Sequence, residues 1–373
     1  MKTWVEISRS ALRENVDTLR KVIGPSTKLM AVVKANAYGH GLETVVPAIR
    51  ERVDWFGVVS VGEADRVRAL APSKPILVMG YATDAELGHA IKRGFRITLH
   101  SPNAAKKIMQ LATAARPARV HLKIETGISR LGFLLEDLPA LIRTLAGKKQ
   151  VVVEGASTHF ANIEDSADLS YGRQQLDRFR QGLAILKDAG IEPALPHIAA
   201  SGAAMIFPES RLAMVRTGIA MYGLWPSENI RQAMEGQGFS LRPALAWKCR
   251  IAQIKHLPAG TPVSYGLTER LGRDSTLAVL PIGYWDGLPR AMSSVGEVLV
   301  NGHRAKIIGR VCMNMCIVDV TEAGAVAPGD EAVLIGRQGI SLVSADEFAA
   351  KHGTINYEVV TRINPSIQRL AKP

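Results

Sequence analysis

One lysine of the chain stands where its amine could do covalent chemistry. Lys34 directly follows residues 29–33, which are all apolar. An amine in apolar surroundings is costly to bury without a partner, and desolvation lowers its pKa. A lysine amine with a lowered pKa suits the formation of a Schiff base. A lysine that only reaches the solvent at the edge of the fold is the alternative, and position alone leaves both open.

The segments around Lys34 predict the architecture that positions it. Short β-rich runs recur through the first part of the chain, and most are separated by segments with helical periodicity or helix caps, such as the capping box of Thr83 and Glu86. Eight strands that alternate with helices predict a parallel (β/α)8 barrel of the TIM type. The eight runs are residues 29–35, 55–61, 75–81, 95–100, 118–124, 151–158, 196–201 and 213–219.

In such a barrel, the polar residues at the carboxyl ends of the strands meet on one rim, where barrel enzymes keep their active sites. The loops after the seventh and eighth strands often bind phosphate, and here they carry the hydroxyl of Ser201 and the glycine Gly218. A glycine lets backbone N–H groups approach an anion closely. A Schiff-base lysine together with a phosphate site indicates pyridoxal phosphate as cofactor.

Past about residue 240, strand-like runs follow one another without helices between them. These runs are residues 244–257, 275–284, 296–320 and 330–336. Glycines and prolines mark the turns, and a single short helix is expected at residues 344–352. We therefore predict a barrel domain over residues 1–236 and a mainly β domain over residues 237–373.

Composition excludes several classes of protein. Of the 373 residues, 47% are hydrophobic and 21% charged, which is typical of a globular chain with a large core and not of a disordered one. The net charge is +12, but the basic residues are scattered and aromatics make up only 5%, so we expect no nucleic-acid partner. No apolar run reaches the roughly 18 residues that span a bilayer, so we expect no membrane segment.

Charged residues near the N-terminus and a low cysteine content favour a cytoplasmic protein without disulfides. Cys312 and Cys316 lack a histidine at metal-ligand spacing, so no metal site is expected.

Taken together, the motifs resemble those of the alanine racemase family, fold-type III pyridoxal phosphate enzymes. The segment around the lysine reads AVVKANAYGHG, and the resemblance covers essentially the whole chain. Further matching segments are HLKIETGISRLGF, VRTGIAMYG, PVSYG, GYWDGLPR, GRVCMN and YEVVTRI. The resemblance implies racemisation between L-alanine and D-alanine by two bases, which supplies D-alanine for peptidoglycan.

The resemblance also implies roles for individual residues. Lys34 would hold pyridoxal 5'-phosphate as an internal aldimine, and Tyr265 would be the second catalytic base. Arg216 would face the pyridine nitrogen, with His159 behind it. The cofactor phosphate would be bound by Tyr38, Ser201, Gly218, Ile219 and Tyr357.

For the substrate, the resemblance implies that Arg130 and the backbone N–H of Met313 bind the carboxylate of alanine. Lys123 matches a lysine that is often carbamylated in the family and that pairs with the arginine matching Arg130. Each active site of the family combines the barrel of one subunit with the β domain of the other, which implies a homodimer.

Two positions depart from the family's pattern, and both concern substrate breadth more than the type of reaction. Asn314 stands where an aspartate is usual, and Trp285 replaces a residue that is usually small. Asp286 and Arg290 could form only an ion pair that stabilises a turn, but in the family this segment, with Tyr284, lines the substrate entrance.

Three alternatives to an alanine racemase remain open. A racemase of broader specificity, acting on serine or larger amino acids, would share the same fold. A non-enzymatic pyridoxal phosphate-binding protein is a second possibility, although single-barrel relatives of that kind lack the β domain that carries Tyr265. A decarboxylase or aldolase on a related barrel is the third. Arg216 argues against a decarboxylase, which benefits from a carboxylate at the pyridine nitrogen.

Overall fold

The computed structural model describes residues 1–164 and 168–373. The chain divides into two compact units. One unit, called here the barrel unit, comprises residues 12–37 and 45–242. The other, the β unit, comprises residues 1–11, 38–44 and 243–373.

The barrel unit contains an eight-stranded parallel sheet, as the sequence predicts. Its strands are β2 (Lys28–Val32), β3 (Trp55–Val58), β4 (Ile76–Val78), β5 (Arg96–Leu99), β6 (Ala118–Lys123), β7 (Val151–Ser157), β8 (Leu195–His197) and β9 (Met214–Thr217). Neighbours follow the order β8-β7-β6-β5-β4-β3-β2-β9. Backbone N–H groups of Ala213 and Arg216 donate to carbonyl oxygens of Pro196 and Ala199, at 3.3 and 3.0 Å, and so join the two ends of the sheet.

Helices alternate with these strands, which confirms the predicted βα pattern. They are α1 (Arg9–Ile23), α3 (Leu42–Ile49), α4 (Val61–Leu70), α5 (Asp84–Arg93), α6 (Pro102–Leu111), α7 (Leu138–Leu145), α8 (Ser170–Asp188), α9 (Ser201–Ile206) and α10 (Glu228–Glu235), and α2 (Lys34–Tyr38) is a single left-handed turn. The capping box of Thr83 and Glu86 is present at the start of α5, where each side chain accepts from the backbone of the other residue.

Side chains that point into the barrel pack into a buried core. One cluster joins side chains from five of the strands or their immediate ends: Met30, Trp55, Leu77, Leu195 and Met214. Strands that are covered on both faces are mostly apolar in sequence, so each barrel strand could be recognised from its residues. The polar groups of the site stand beyond this layer, at the carboxyl ends of the strands.

The β unit is built mainly from three antiparallel or mixed sheets. The largest has the order β16-β15-β18-β10-β1-β20, with β19 paired to β18. Its strands are β1 (Thr3–Ser8), β10 (Leu245–Arg250), β15 (Glu297–Val300), β16 (His303–Lys306), β18 (Glu331–Gln338), β19 (Ser341–Val343) and β20 (Arg369–Lys372). The two smaller sheets contain β11 (Gln253–Leu257), β14 (Ser275–Leu280) and β17 (Cys316–Asp319), and β12 (Pro262–Val263) with β13 (Glu269–Arg270).

Two helices complete the β unit. The helix expected at residues 344–352 is α11 (Ala345–Lys351), and Ser344 caps it by accepting from the Glu347 N–H at 3.0 Å. A second helix, α12 (Asn356–Arg362), was not expected. The last part of the chain, from β10 onward, is therefore mainly β, as predicted.

Strand β1 is the main element that sequence reasoning missed. It pairs antiparallel with β10 and parallel with β20, so the first strand of the chain belongs to the β unit. The two compact units thus do not follow a single cut in the sequence, and the boundary at residues 236/237 stays a prediction. Across the described residues, none of the helices is long and apolar enough to cross a membrane.

Candidate active site

Lys34 stands at the end of β2 on a left-handed turn. The residues that follow it have φ angles between 52° and 55°: Ala35, Asn36, Ala37 and Tyr38. Left-handed backbone costs roughly 1–2 kcal/mol for each residue that is not glycine. Backbone strain of this kind concentrates at functional sites, where the surrounding structure enforces it. The turn therefore marks Lys34 independently of the sequence argument.

The surroundings of the Lys34 amine lower its pKa. The residue keeps much of its surface exposed in the single chain, yet desolvation of the amine is the largest cause of the shift. The charges of Arg130 and Arg216 lower the pKa further, and the carboxylate of Glu63 opposes them. A lowered pKa increases the fraction of neutral amine, which is the form that attacks a carbonyl.

Arg216, on β9, is buried and is surrounded by hydrogen-bond acceptors. Its Nη1 donates to His197, to Nδ1 at 2.6 Å and to the carbonyl oxygen at 3.1 Å. Its Nη2 donates to the carbonyl oxygens of Thr158 and Ile198, both at 2.9 Å, and to Nδ1 of His159 at 3.1 Å. These partners are carbonyls and imidazoles, and in the described parts of the chain no carboxylate forms an ion pair with Arg216.

The cations of the barrel rim influence one another. Burial and the charge of Arg130 lower the pKa of Arg216 to about 10, which leaves the guanidinium protonated at neutral pH. Burial, Arg216 and Arg130 also lower the pKa of Lys123, at the end of β6, well below its usual value. The pKa of His159 is likewise lowered by burial and by Arg216, so this imidazole is neutral. The predicted residues Lys34, Lys123, Arg130, His159 and Arg216 thus form one electrostatically coupled group.

Ser201 and Gly218 meet as the sequence analysis expected. The Ser201 side chain, at the start of α9, is buried and accepts from the Gly218 N–H at 3.0 Å. Ile219, also buried, begins the turn that follows β9. The hydroxyl of Tyr222 in this turn donates to the Val32 carbonyl at 3.0 Å, which ties the turn to β2. The Ser201 hydroxyl proton and the backbone N–H of Ile219 at this place are suitable donors for a phosphate, while the Gly218 N–H is used by Ser201.

Tyr265 lies in the β unit, on an exposed turn between β12 and β13. The residue is 73% exposed in the single chain. Ser264, just before it, has φ 63° and ψ −174°, a strained backbone conformation for a residue with a side chain. Its hydroxyl donates to the Arg310 carbonyl at 2.7 Å, and a Cβ on Gly309 would lie only 2.8 Å from Ser264 Cβ. The loop at residues 309–315 therefore supports the Tyr265 turn closely.

Met313 lies in that same loop and is 56% exposed. Its carbonyl oxygen accepts from the Trp285 N–H at 2.9 Å. Its own N–H donates to no other group among the described residues, which leaves it available for an anion. Tyr265 and Met313 are thus on neighbouring, mutually supported segments of the β unit.

The remaining predicted phosphate residues, Tyr38 and Tyr357, are also brought together within the β unit. Their ring centroids are 6.2 Å apart, with an angle of 49° between the ring planes. Tyr357 lies in the first turn of α12.

Asp286 lies in the segment that the family resemblance places at the substrate entrance, and its partner is a backbone group. Asp286 is buried, and its carboxylate accepts from the Gly283 N–H at 2.9 Å. Among the described residues Arg290 makes no ion pair with it, so the alternative of an Asp286–Arg290 pair that stabilises a turn is not observed. Tyr284 and Trp285 are exposed, and Trp285 is 64% accessible.

Sequence reasoning missed three residues behind Arg216. His197 contacts Arg216 directly, His121 contacts His197, and Glu154 lies beyond His121. The signal in the sequence is that each of these polar residues lies within one of the predicted barrel strands.

The fold and its rim of ionisable groups define an enzyme of the barrel class, whose site lies at the carboxyl ends of the strands. Residues 7–226 match the family model for the alanine racemase N-terminal domain, and residues 244–371 match that for the C-terminal domain. The chain therefore belongs to the alanine racemase family.

Relatives and solved structures agree with this assignment. The chain is 40% identical to the alanine racemase of Desulforamulus reducens over 370 residues, 98% of each protein. It is also 40% identical to that of Symbiobacterium thermophilum, over 98% of this chain and 96% of that protein. Alanine racemase from Bacillus anthracis with bound L-Ala-P matches with a TM-score of 0.93 and 33% identity, covering 100% of this chain and 95% of that one.

Proposed function

We propose that this protein interconverts L-alanine and D-alanine with pyridoxal 5'-phosphate as its cofactor. The observation that carries the proposal is the environment of Arg216. A buried guanidinium whose neighbours are all acceptors stays a cation and can only donate a hydrogen bond. It therefore cannot take part in proton transfer with a ring nitrogen that faces it. This electronic setting favours return of a proton to the α-carbon over transamination.

The chemistry of the donor set fits the cofactor. Lys34 offers an amine with a lowered pKa, and Arg216 a donor for a neutral ring nitrogen. Ser201 offers its hydroxyl and Ile219 its backbone N–H for the phosphate, and Gly218, whose N–H donates to Ser201 Oγ, orients that hydroxyl. Tyr38 and Tyr357 complete the phosphate site in this proposal, and His159 orients Arg216. When bound, the cofactor withdraws electrons from the α-carbon of an amino acid and so makes its proton removable.

Two bases on opposite faces perform the racemisation. Lys34 holds the cofactor and removes the α-proton of D-alanine, and Tyr265 removes that of L-alanine. Each base returns a proton to the face that it serves, so a proton leaves one side and another arrives on the other. The lowered pKa of Lys34 supports its role as a base near neutral pH.

Arg130 and the backbone N–H of Met313 bind the substrate carboxylate. Lys123 supports Arg130 after carbamylation, in which its amine adds to carbon dioxide and releases a proton. Its lowered pKa favours the neutral amine that this addition requires. The carbamate would also place a negative charge among Lys34, Arg130 and Arg216, a group otherwise rich in positive charge.

The working unit in this proposal is a homodimer, in which Tyr265 of one subunit acts with Lys34 of the other. The exposure of Tyr265 and Met313 in a single chain supports a role for a second copy. We retain residues 1–236 and 237–373 as the functional modules of the sequence. A cytoplasmic location is consistent with three free cysteines, and the D-alanine would supply peptidoglycan.

The decisive experiment combines product analysis with mapping of the cofactor. Purified protein is incubated with L-alanine and pyridoxal 5'-phosphate, and the enantiomers are separated by chiral chromatography. Borohydride reduction and peptide mapping then locate the pyridoxyl group. We expect D-alanine to form and the label to lie on Lys34. Lys34→Ala should abolish both, whereas Lys28→Ala, at the exposed start of the same strand, should preserve both. Cofactor binding without D-alanine would refute the racemase proposal.

A substrate panel separates alanine specificity from the broader racemase. The Trp285 N–H donates to the Met313 carbonyl, and Asn314 follows Met313 in the chain. Both residues are exposed, and both depart from the pattern of the family. Serine and larger amino acids are compared with alanine by kcat/KM. We expect alanine to be preferred, and equal values for serine would favour the broader racemase.

A further inference from the structure

A line of buried polar side chains runs from Arg216 through the interior of the barrel. His197 Nδ1 lies 2.6 Å from Arg216 Nη1, and His197 Nε2 lies 2.8 Å from His121 Nδ1. Both histidines are buried, with 1% and 0% of their surface exposed. They come from β8 and β6, which flank β7. Gly155 of β7 makes room for the contact, because a Cβ there would lie 2.5 Å from His121 Nδ1.

The chemistry of arginine decides which nitrogen donates and which accepts in each hydrogen bond of this line. A guanidinium has donors only, so Nδ1 of His197 must accept its hydrogen bond. Burial lowers the pKa of both histidines, so each is neutral and carries one ring proton. His197 must then carry its proton on Nε2 and donate it to Nδ1 of His121. The His121 proton is consequently on Nε2, at the far side of the ring.

A carboxylate stands at the far end of the line. His121 Nε2 is buried, has no hydrogen-bond partner within residues 1–164 and 168–373, and lies 3.9 Å from Glu154 Oε2. This distance is too long for a hydrogen bond, so the attraction is electrostatic. Glu154 is held by Arg96 through two contacts of 2.7 and 3.1 Å. Burial raises the pKa of Glu154, but the contacts with His121 and Arg96 outweigh burial and lower it to about 2.

We infer that His121 and Glu154 are positioning residues for Arg216, because together they stabilise the His197 ring proton on Nε2, the tautomer that the contact with Arg216 requires. The Glu154 carboxylate favours a proton on His121 Nε2, and His121 Nδ1 is thereby left as an acceptor for His197. Without that acceptor, His197 could place its proton on Nδ1. Two donors would then face each other at 2.6 Å, and the Arg216 guanidinium would have to move. The functional consequence rests on the proposed function, in which Arg216 faces the cofactor.

The alternative is that His121 is an ordinary packed histidine. Its ring contacts the edge of Trp55, with centroids 5.4 Å apart, and a packing role would need only its shape. The two interpretations differ in what they predict for the ring protons of another residue, His197. That difference can be measured without substrate or cofactor.

The test is nitrogen NMR on the cofactor-free protein with 15N-labelled histidine rings. The chain has nine histidines, and single His→Gln variants assign the signals of His121 and His197. We expect both rings to be neutral with the proton on Nε2. A proton on Nδ1 of His197 in the unaltered protein would overturn the inference.

Three variants test the direction in which hydrogen bonds are donated along this line of side chains. His121→Leu removes the acceptor, so we expect the Nδ1-protonated form of His197 to become measurable. His121→Asn keeps an oxygen near the position of Nδ1 and should restore the Nε2 proton. Glu154→Gln should increase the population of His121 rings that carry their proton on Nδ1. Asp54→Asn is the matched control, since Asp54 is a carboxylate of the same unit held by Arg20 at 2.6 Å and outside the line. If His121→Leu fails to fold, Glu154→Gln alone decides.

Kinetics of the loaded enzyme add a second readout. We expect Glu154→Gln to lower kcat for alanine about 2- to 30-fold with little change in KM, which is the range for residues that act through others. Unchanged ring protons in Glu154→Gln would overturn the inference even if the protein racemises alanine. Conversely, an inactive protein whose ring protons respond as expected would refute only the proposed function.

Discussion

The left-handed turn after Lys34 gives a prediction in which one type of substitution has opposite effects at two places. Ala35 has φ 53° and ψ 50°, and its side chain is exposed. Replacing it by glycine removes the left-handed penalty of about 1–2 kcal/mol. Glycine also makes the unfolded chain more flexible, which costs about 0.5–1 kcal/mol. We therefore expect Ala35→Gly to raise the free energy of unfolding by about 0.5–1 kcal/mol.

The same substitution should be destabilising in an ordinary helix. Ala184 is exposed in the middle of α8, so Ala184→Gly should lower the free energy of unfolding by about 1 kcal/mol. Asn36 shares the left-handed φ, but its side-chain oxygen accepts from Arg66 at 3.1 Å, so Asn36→Gly should gain less than Ala35→Gly. The comparison separates strain at one residue from a general effect of glycine.

Urea unfolding of the three variants and the unaltered protein measures these differences. The midpoints can be compared directly if the denaturant slopes agree. We also expect Ala35→Gly to lower kcat, because a more flexible turn holds the Lys34 amine less firmly. If Ala35→Gly destabilised the protein as much as Ala184→Gly does, the left-handed turn would not be strained, and the reasoning would fail.

Three further predictions follow from the site. Tyr265→Phe removes one hydroxyl, so the rate of racemisation should fall by on the order of 10²- to 10⁴-fold. D-alanine should still exchange its α-proton in heavy water, because Lys34 remains. Exchange of both enantiomers at the original rate would contradict the two-base mechanism. Mixing inactive Lys34→Ala and Tyr265→Phe subunits should restore some activity if sites are shared between subunits, and no recovery despite proven subunit exchange would favour sites within one chain. Glu154 has a pKa of about 2 in the folded state against a usual 4.5, so its contribution to stability is fully present above pH 4.5 and is lost as the pH falls toward 2. A shift of this size corresponds to about 3 kcal/mol, which solvent screening reduces to roughly 1–2 kcal/mol. The stability difference between unaltered protein and Glu154→Gln, measured by urea unfolding, should therefore shrink between pH 5 and pH 3, and a constant difference would contradict the assignment.

Much of the barrel could be predicted because its signals are local. All eight strands appear as apolar runs, and helix starts such as Ser101 before Pro102 are marked by their own side chains. Each of these signals lies within a few residues, where the backbone preferences of individual residues decide the structure. The order of the strands then follows from the rule that successive parallel strands lie side by side.

Elements that depend on distant partners could not be predicted in this way. Strand β1 pairs Thr3 with Cys249, and no local pattern indicates a partner so far along the chain. The contact of His121 with His197 depends on the register of three strands, including an irregularity between Val120 and His121. The left-handed turn was missed for another reason: Ala35 to Tyr38 are not glycine, the residue typical of such a backbone, and Gly39, with φ 78°, only follows them.

The burial of Arg216 links these missed features to the chemistry. A carboxylate partner would have stabilised the guanidinium more simply, but it would have placed a negative charge beside the position that the proposed function gives to the ring nitrogen of the cofactor. Instead, carbonyl oxygens and neutral imidazoles accept its hydrogen bonds, and Glu154 lies behind two histidine rings. The positive charge of Arg216 thus stays unneutralised at the rim, where it also lowers the pKa of Lys34 and of Lys123. In the proposed function, one buried arginine therefore both restrains the electron demand of pyridoxal phosphate and keeps the neighbouring amines reactive, provided that the histidines behind it remain acceptors.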